Sequence, residues 1–183
     1  GGMACDGSKS GFRHVRVEHC RCHKNQYFGL LTTGSWQDNP EHYANEDIVI
    51  RFCTACDNEG DYNFMENHSG SGILMEDVDL GLIEYCTAYS NGGLCKSTAG
   101  GPCNIWTGVA NKVTIQYCES YDCRTLTMDG DGFDLDGGTT NCVLQYNYSH
   151  GNDGAGYLLY TYPGAPWVWG NNIIKHCISE NDG

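Results

Sequence analysis

The chain has 183 residues, enough for one domain with a real core, and a formal net charge of −13. That charge argues against nucleic acid or an anionic membrane surface as partner, because phosphates would be repelled, and no apolar run is long enough for membrane insertion. Twelve cysteines favour an oxidising, secreted setting; the alternative is a reduced stack in which thiols pack as small hydrophobes.

With 25 Gly and 4 Pro, helix-period amphipathicity is hard to find. Short β-branched and aromatic runs, punctuated by Asn, Asp and Gly, read as all-β. One signature recurs six times at a period near thirty residues: an alternating strand, an aromatic, then Cys or Asn, with Asn, Asp or Cys five residues further on. It reads Val15-Arg16-Val17-Glu18-His19-Cys20 with Asn25, then Ile48-Val49-Ile50-Arg51-Phe52-Cys53 with Asn58. It returns at Leu82 to Cys86 with Asn91, and at Val113 to Cys118 with Cys123. The last two copies run from Val143 to Asn147 with Asn152 and from Ile173 to Cys177 with Asp182. A second strand follows each of the first five, opened by Gly29, Gly72, Asn104, Gly132 and Gly156. Stacking such units about 4.8 Å apart gives a single-stranded parallel β-helix of about six coils, one domain over 1–183, with length differences absorbed in loops.

Strict alternation sends His19, Phe52, Tyr85, Tyr117, Tyr146 and His176 inward as an internal aromatic stack, so the two histidines read as core packing rather than metal ligands. Cys20, Cys53, Cys86 and Cys118 share one column on consecutive coils. Bridges Cys20–Cys53 and Cys86–Cys118 are within reach, as is Cys95–Cys103 across a loop, and a stack of unpaired thiols fits the same column equally well. Cys20-Arg21-Cys22 and Cys53-Thr54-Ala55-Cys56 superficially suggest zinc ligands, but the repeat already accounts for Cys20 and Cys53.

This strand, Asn and Gly-strand grammar resembles the right-handed parallel β-helix proteins of the pectate-lyase-like superfamily, across essentially the whole chain. His68-Ser69-Gly70-Ser71-Gly72-Ile73-Leu74-Met75, Asp131-Gly132-Phe133-Asp134-Leu135-Asp136-Gly137-Gly138 and Gln145-Tyr146-Asn147-Tyr148-Ser149-His150 are similar to secreted microbial β-helix repeat proteins of unassigned activity. The resemblance implies the fold and an extracellular setting, and in such enzymes a groove along one face holds extended polysaccharide. Polygalacturonase-like members carry Asp-Asp, Gly-His-Gly and Arg-x-Lys. None of these is present, because His68 lies in His-Ser-Gly and Lys175 lacks the Arg. Superfamily lyases generally use a Ca²⁺ cluster with a Lys or Arg base, for which Lys96 and Arg124 are near in sequence.

On the Gly-led strands the outward pairs are Leu31 and Thr33, Leu74 and Glu76, Trp106 and Gly108, Asp134 and Asp136, then Leu158 and Tyr160. Aromatics beside carboxylates suit a glycan: Trp106 and Tyr160 as substrate-binding platforms, and Asp134, Asp136 and Glu76 as acid/base candidates. Asp134 and Asp136 lie roughly 6.6–7 Å apart along a strand, inside the inverting-glycosidase window of about 6.5–9.5 Å. The same hard oxygens, Asp129, Asp131, Asp134 and Asp136, are the ligand type that Ca²⁺ takes. Capping a turn and solvating a face is the bland account of them. The expected function is thus carbohydrate-active or carbohydrate-binding. The alternative is a structural subunit, because uncapped coils at both ends imply either a fragment of a longer protein or head-to-tail self-association into a fibre. Asn67 is the accessible N-glycosylation acceptor, and the sequon at Asn147 should be buried.

Overall fold

A computed structural model describes residues 1–36 and 42–183. Among them the chain winds through six stacked coils, every strand pairing being parallel. The first coil holds β1 (Met3–Asp6), β2 (Arg13–Glu18) and β3 (Arg21–His23), and the second β4 (Phe28–Thr33), β5 (Asn45–Arg51) and β6 (Thr54–Cys56). In the third, β7 (Ser71–Glu84) precedes β8 (Thr87–Tyr89); in the fourth, β9 (Cys103–Gln116) precedes β10 (Glu119–Tyr121). The fifth holds β11 (Asp131–Leu135), β12 (Val143–Gln145) and β13 (Tyr148–His150), and the sixth β14 (Tyr157–Leu159), β15 (Ile173–Lys175) and β16 (Ile178–Glu180). The Gly-led strands form one face in the order β1-β4-β7-β9-β11-β14, and the short strands another in the order β16-β13-β10-β8-β6-β3. The signature strands form the third face. In β7 and β9 one strand of 14 residues serves both the Gly-led and the signature face. β1 extends the Gly-led face one coil below the five strands legible from the repeat.

Corners come from single left-handed residues in three columns that run the length of the stack, with further ones at Asp77, Val109 and Gly138 on the middle coils. Before the signature strand they are His14, Asp47, Leu80, Lys112, Asn141 and Asn171, with φ between 53° and 62°. After it they are His19, Phe52, Tyr85, Tyr117, Tyr146 and His176, with φ between 51° and 55°. Beyond the short strand they are Lys24, Asp57, Ser90, Asp122, Gly151 and Asn181. Left-handed backbone is costly for non-Gly residues, so each corner is held by bonds to the coils beside it.

The middle set corrects the expected internal stack. The six rings do stack, with centroids 5.0–5.2 Å apart and planes within 12°. They stand outside the helix, however, with Phe52, Tyr85, Tyr117 and Tyr146 between 44% and 47% exposed. The left-handed residue breaks the period-two alternation, so its side chain swings outward and the next residue, Cys or Asn, points inward.

All twelve cysteines are unpaired. The thiols at the inner corner column share one job. Cys20, Cys53, Cys86, Cys118 and Cys177 each donate to the carbonyl two residues earlier, at 3.2–3.3 Å. That carbonyl sits just before the left-handed residue, so the thiol pins the corner. Asn147 performs the same role with more reach, donating to Ile115 O and accepting from Cys118 N. A sulfur bond from the next coil, followed by burial, raises the pKa of Cys53 and Cys86, so these thiols stay protonated and unreactive.

The inward residue five positions on builds a buried amide ladder. Asn58 Oδ1 accepts from Asn25, and Asn91 Oδ1 accepts from both the backbone N and the Nδ2 of Asn58. Cys123 interrupts the ladder. Asn104, standing where other coils have Gly, fills the gap: it accepts from Asn91 and donates to Ser120 Oγ and Asn152 Oδ1. The rest of the core is largely aliphatic, including Ile48, Ile50, Ile83, Ile115 and Leu144, none more than 1% exposed, with Phe133 fully buried among them.

Candidate functional site

The Gly-led face is not bare. Residues 66–68, 98–101 and 128–129, from the loops entering β7, β9 and β11, wall a cleft of about 700 Å³ on one side. Trp36 and Tyr160 and Tyr162, after β4 and β14, also line it. Its floor is formed by Trp106, Asp134 and Leu158, which lie in register on successive rungs of the outward column that Leu31 and Leu74 continue outside the cleft. Glu76, Trp106, Asp134, Asp136 and Tyr160 all line this one cleft.

Glu76 and Asp136 flank Gly108 on adjacent rungs. A Cβ at Gly108 would sit 3.6 Å from Glu76 Oε1 and 3.9 Å from the Asp136 Cβ, so the missing side chain leaves a gap between the two carboxyl-bearing residues. Glu76 is 7% exposed and Asp134 6%. Burial, then the charge of Asp136, pushes the Glu76 carboxyl up to about 8. Burial lifts Asp136 to about 6 and, helped by Asp129, Asp131 to about 7. Asp134 lies well above the usual carboxylate range, through burial and the neighbouring Asp136. Near neutrality the pair divides: Glu76 carries a proton and Asp136 does not.

Trp106 differs from expectation. It is 4% exposed, and the ring of His68 packs edge-on against it at 4.9 Å, with Phe28 against the other contact of His68 at 5.6 Å. Its ring face therefore offers no platform to a sugar, although its lining edge reaches the cleft. The platform role passes to Tyr160, 49% exposed, with Trp36 and Tyr162 beside the same space. Burial lowers His68 to about 4, so its ring is neutral.

Among the described residues, four buried side-chain polar atoms have no partner: His68 Nδ1, Trp106 Nε1, Asp134 Oδ1 and Asp136 Oδ1. All four belong to residues that line this cleft. Unpaired buried polar groups are costly, and elsewhere the fold satisfies them rung by rung.

The aspartates expected to bind Ca²⁺ do not gather into a shared cage. Asp129 Oδ2 accepts from Gly101 N at 2.7 Å and Asp131 Oδ1 from Ala155 N at 2.6 Å. Among the described residues no group of three or more His, Cys, Asp and Glu side chains is arranged to hold a metal ion, the Cys20–Cys22 and Cys53–Cys56 pairs included. Nor does a base of the lyase kind reach the cleft. Lys96 bonds Tyr62 Oη and lies over its ring, and Arg124 pairs with Asp122 and Asp153. Asn67 is exposed at the cleft wall, with its Oδ1 accepting from His68 N, whereas Asn147 is 2% exposed in the inner column.

Sequence reasoning missed His68, Trp36 and Tyr162 as site residues. They sit on loops outside the repeat, where no periodicity says which way a side chain points. The tight turns of His-Ser-Gly-Ser-Gly before β7 were the one available signal.

No curated protein and no solved structure matches the chain. The family model described as the right-handed beta helix region matches residues 4–177. With nearly every coil inside that match, the chain belongs to the right-handed β-helix family.

Proposed function

We propose that this β-helix is a carbohydrate-active protein that takes an extended polysaccharide along the Gly-led face and cleaves it with inversion. The observation that carries the reading is the split carboxyl pair, Glu76 and Asp136, in a partly desolvated cleft that keeps unpaired hydrogen-bonding atoms. Two carboxyl groups whose surroundings push their protonation apart are what acid/base cleavage needs. The Glu76 and Asp136 backbones stand two rungs, roughly 9.5 Å, apart, and their side chains approach each other across the gap at Gly108, where a water can enter. Glu76 donates its proton to the glycosidic oxygen as the bond to the anomeric carbon breaks. Asp136 takes a proton from the water that attacks the opposite face. Asp134, with an unpaired oxygen, contacts substrate, and Tyr160 supplies a ring beneath it. An extended polysaccharide is met outside the cell, so an extracellular setting accompanies this reading; the buried thiols need no reducing compartment to remain unreactive.

A polysaccharide panel assayed for new reducing ends tests it. Wild type should release them, and Glu76→Gln and Asp136→Asn should each lower the rate by about 10²-fold or more without loss of fold. Wild type that neither cleaves nor is retained by any glycan removes the reading.

A further inference from the structure

The charge lining the cleft narrows the substrate, an inference that rests on the carbohydrate reading. Glu66, Glu76, Asp129, Asp131, Asp134 and Asp136 line it, and among the described residues no Lys or Arg does. Its imidazole, His68, is uncharged, while Lys96 and Arg124 are engaged elsewhere. A polymer bearing carboxylate or sulfate groups would find six carboxyl groups and, among the described residues, no Lys or Arg to pair with it. Acidity alone does not make a site. The independent sign is that Asp134, 6% exposed, holds a carboxyl oxygen with no donor, and Trp106, 4% exposed, holds an N–H with no acceptor, on neighbouring rungs of the floor. An ammonium group brings three N–H donors and no acceptor, and the adjacent sugar oxygens bring acceptors. That set complements both unpaired atoms, and an ammonium beside Asp134 favours the charged form that burial disfavours.

We propose that the cleft selects a glycan carrying free amino groups, with a sugar ammonium held at Asp134 and a ring or hydroxyl oxygen taken by the Trp106 indole N–H. Titration calorimetry would compare a β-1,4-linked glucosamine oligomer, its fully N-acetylated counterpart and oligogalacturonate at pH 6 and moderate salt. The free-amine oligomer should bind about ten-fold or more tightly than the N-acetylated one, the scale of one charge-assisted hydrogen bond, and oligogalacturonate should not bind. Asp134→Asn should erase that preference, bringing the ratio of the two affinities to about one. Equal affinity for the first two oligomers, or binding of oligogalacturonate, overturns the amino-sugar inference and leaves the carbohydrate reading standing. So does an undiminished preference in Asp134→Asn, which would mean bulk attraction to an acidic protein. Binding of no glycan at all removes both.

Discussion

The corner columns and the cleft column of the helix obey opposite rules. At the corners and along the amide ladder the same residue type returns on rung after rung, and each polar group finds its partner one coil away, as Asn25, Asn58 and Asn91 do. Where the repeat lapses at Cys123, a compensating Asn104 appears on the facing strand. On the outward column of the Gly-led face nothing repeats: Leu31, Leu74, Trp106, Asp134 and Leu158 succeed one another, and where that column lines the cleft polar atoms are left unpaired. The regular columns hold the molecule together. The irregular one carries polar groups that the fold alone does not require, at a cost in stability.

That contrast can be broken most sharply at the ladder. Asn91→Ala strips partners from the backbone N and side chain of Asn58 and from Asn104 Oδ1 inside a dry core. It should cost about 3 kcal/mol in urea unfolding, with the cleft chemically intact. A loss below about 1 kcal/mol would mean that the ladder is not what secures the coils.

The cleft should instead reveal itself through pH. Glu76 keeps its proton in the folded chain from its ordinary 4.5 up to about 8, so over that window folding takes up a proton and stability falls as pH rises. His68 acts in the opposite sense between about 4 and 6.5, where the unfolded chain binds the extra proton, and adds no slope above 6.5. The limb from about pH 6.5 to 8 therefore reports the carboxyls, and Glu76 alone should cost wild type ~2 kcal/mol across it. Glu76→Gln should remove that share in melting curves, leaving the contributions of Asp131 and Asp134. A limb equally steep in the variant would place the titrating group elsewhere.

The smallest effect belongs to the outer rings. Tyr117 stacks on Tyr85 and Tyr146 while 44% exposed, so Tyr117→Ala should cost about 0.5–1.5 kcal/mol, well under the ladder asparagine. Were it to cost as much as Asn91→Ala, the rings would be part of the core after all.

Much of this architecture was legible because a solenoid writes its vertical neighbours into the sequence as a period. Cys20, Cys53 and Cys86 recur at 33 residues, and their stacking follows from that spacing. Alternation likewise placed Glu76, Trp106, Asp134, Asp136 and Tyr160 on one face, where the structure puts them. The direction of the aromatic stack was not legible, because a single left-handed φ inverts the side chain without altering the period. The exposure of Trp106 was not legible either: whether its ring meets solvent depends on His68, which arrives from a loop outside the repeat.

The sequence by itself determined the stacked parallel coils, their register, and which residues share a column, since those depend only on periodic hydrogen-bonding and apolar positions. Tertiary structure decided which columns face water, which thiols pin corners, and which carboxyls are desolvated enough to part in pKa. Those properties depend on what the non-repeating loops lay over each rung, and no local pattern encodes a contact between segments that share no period.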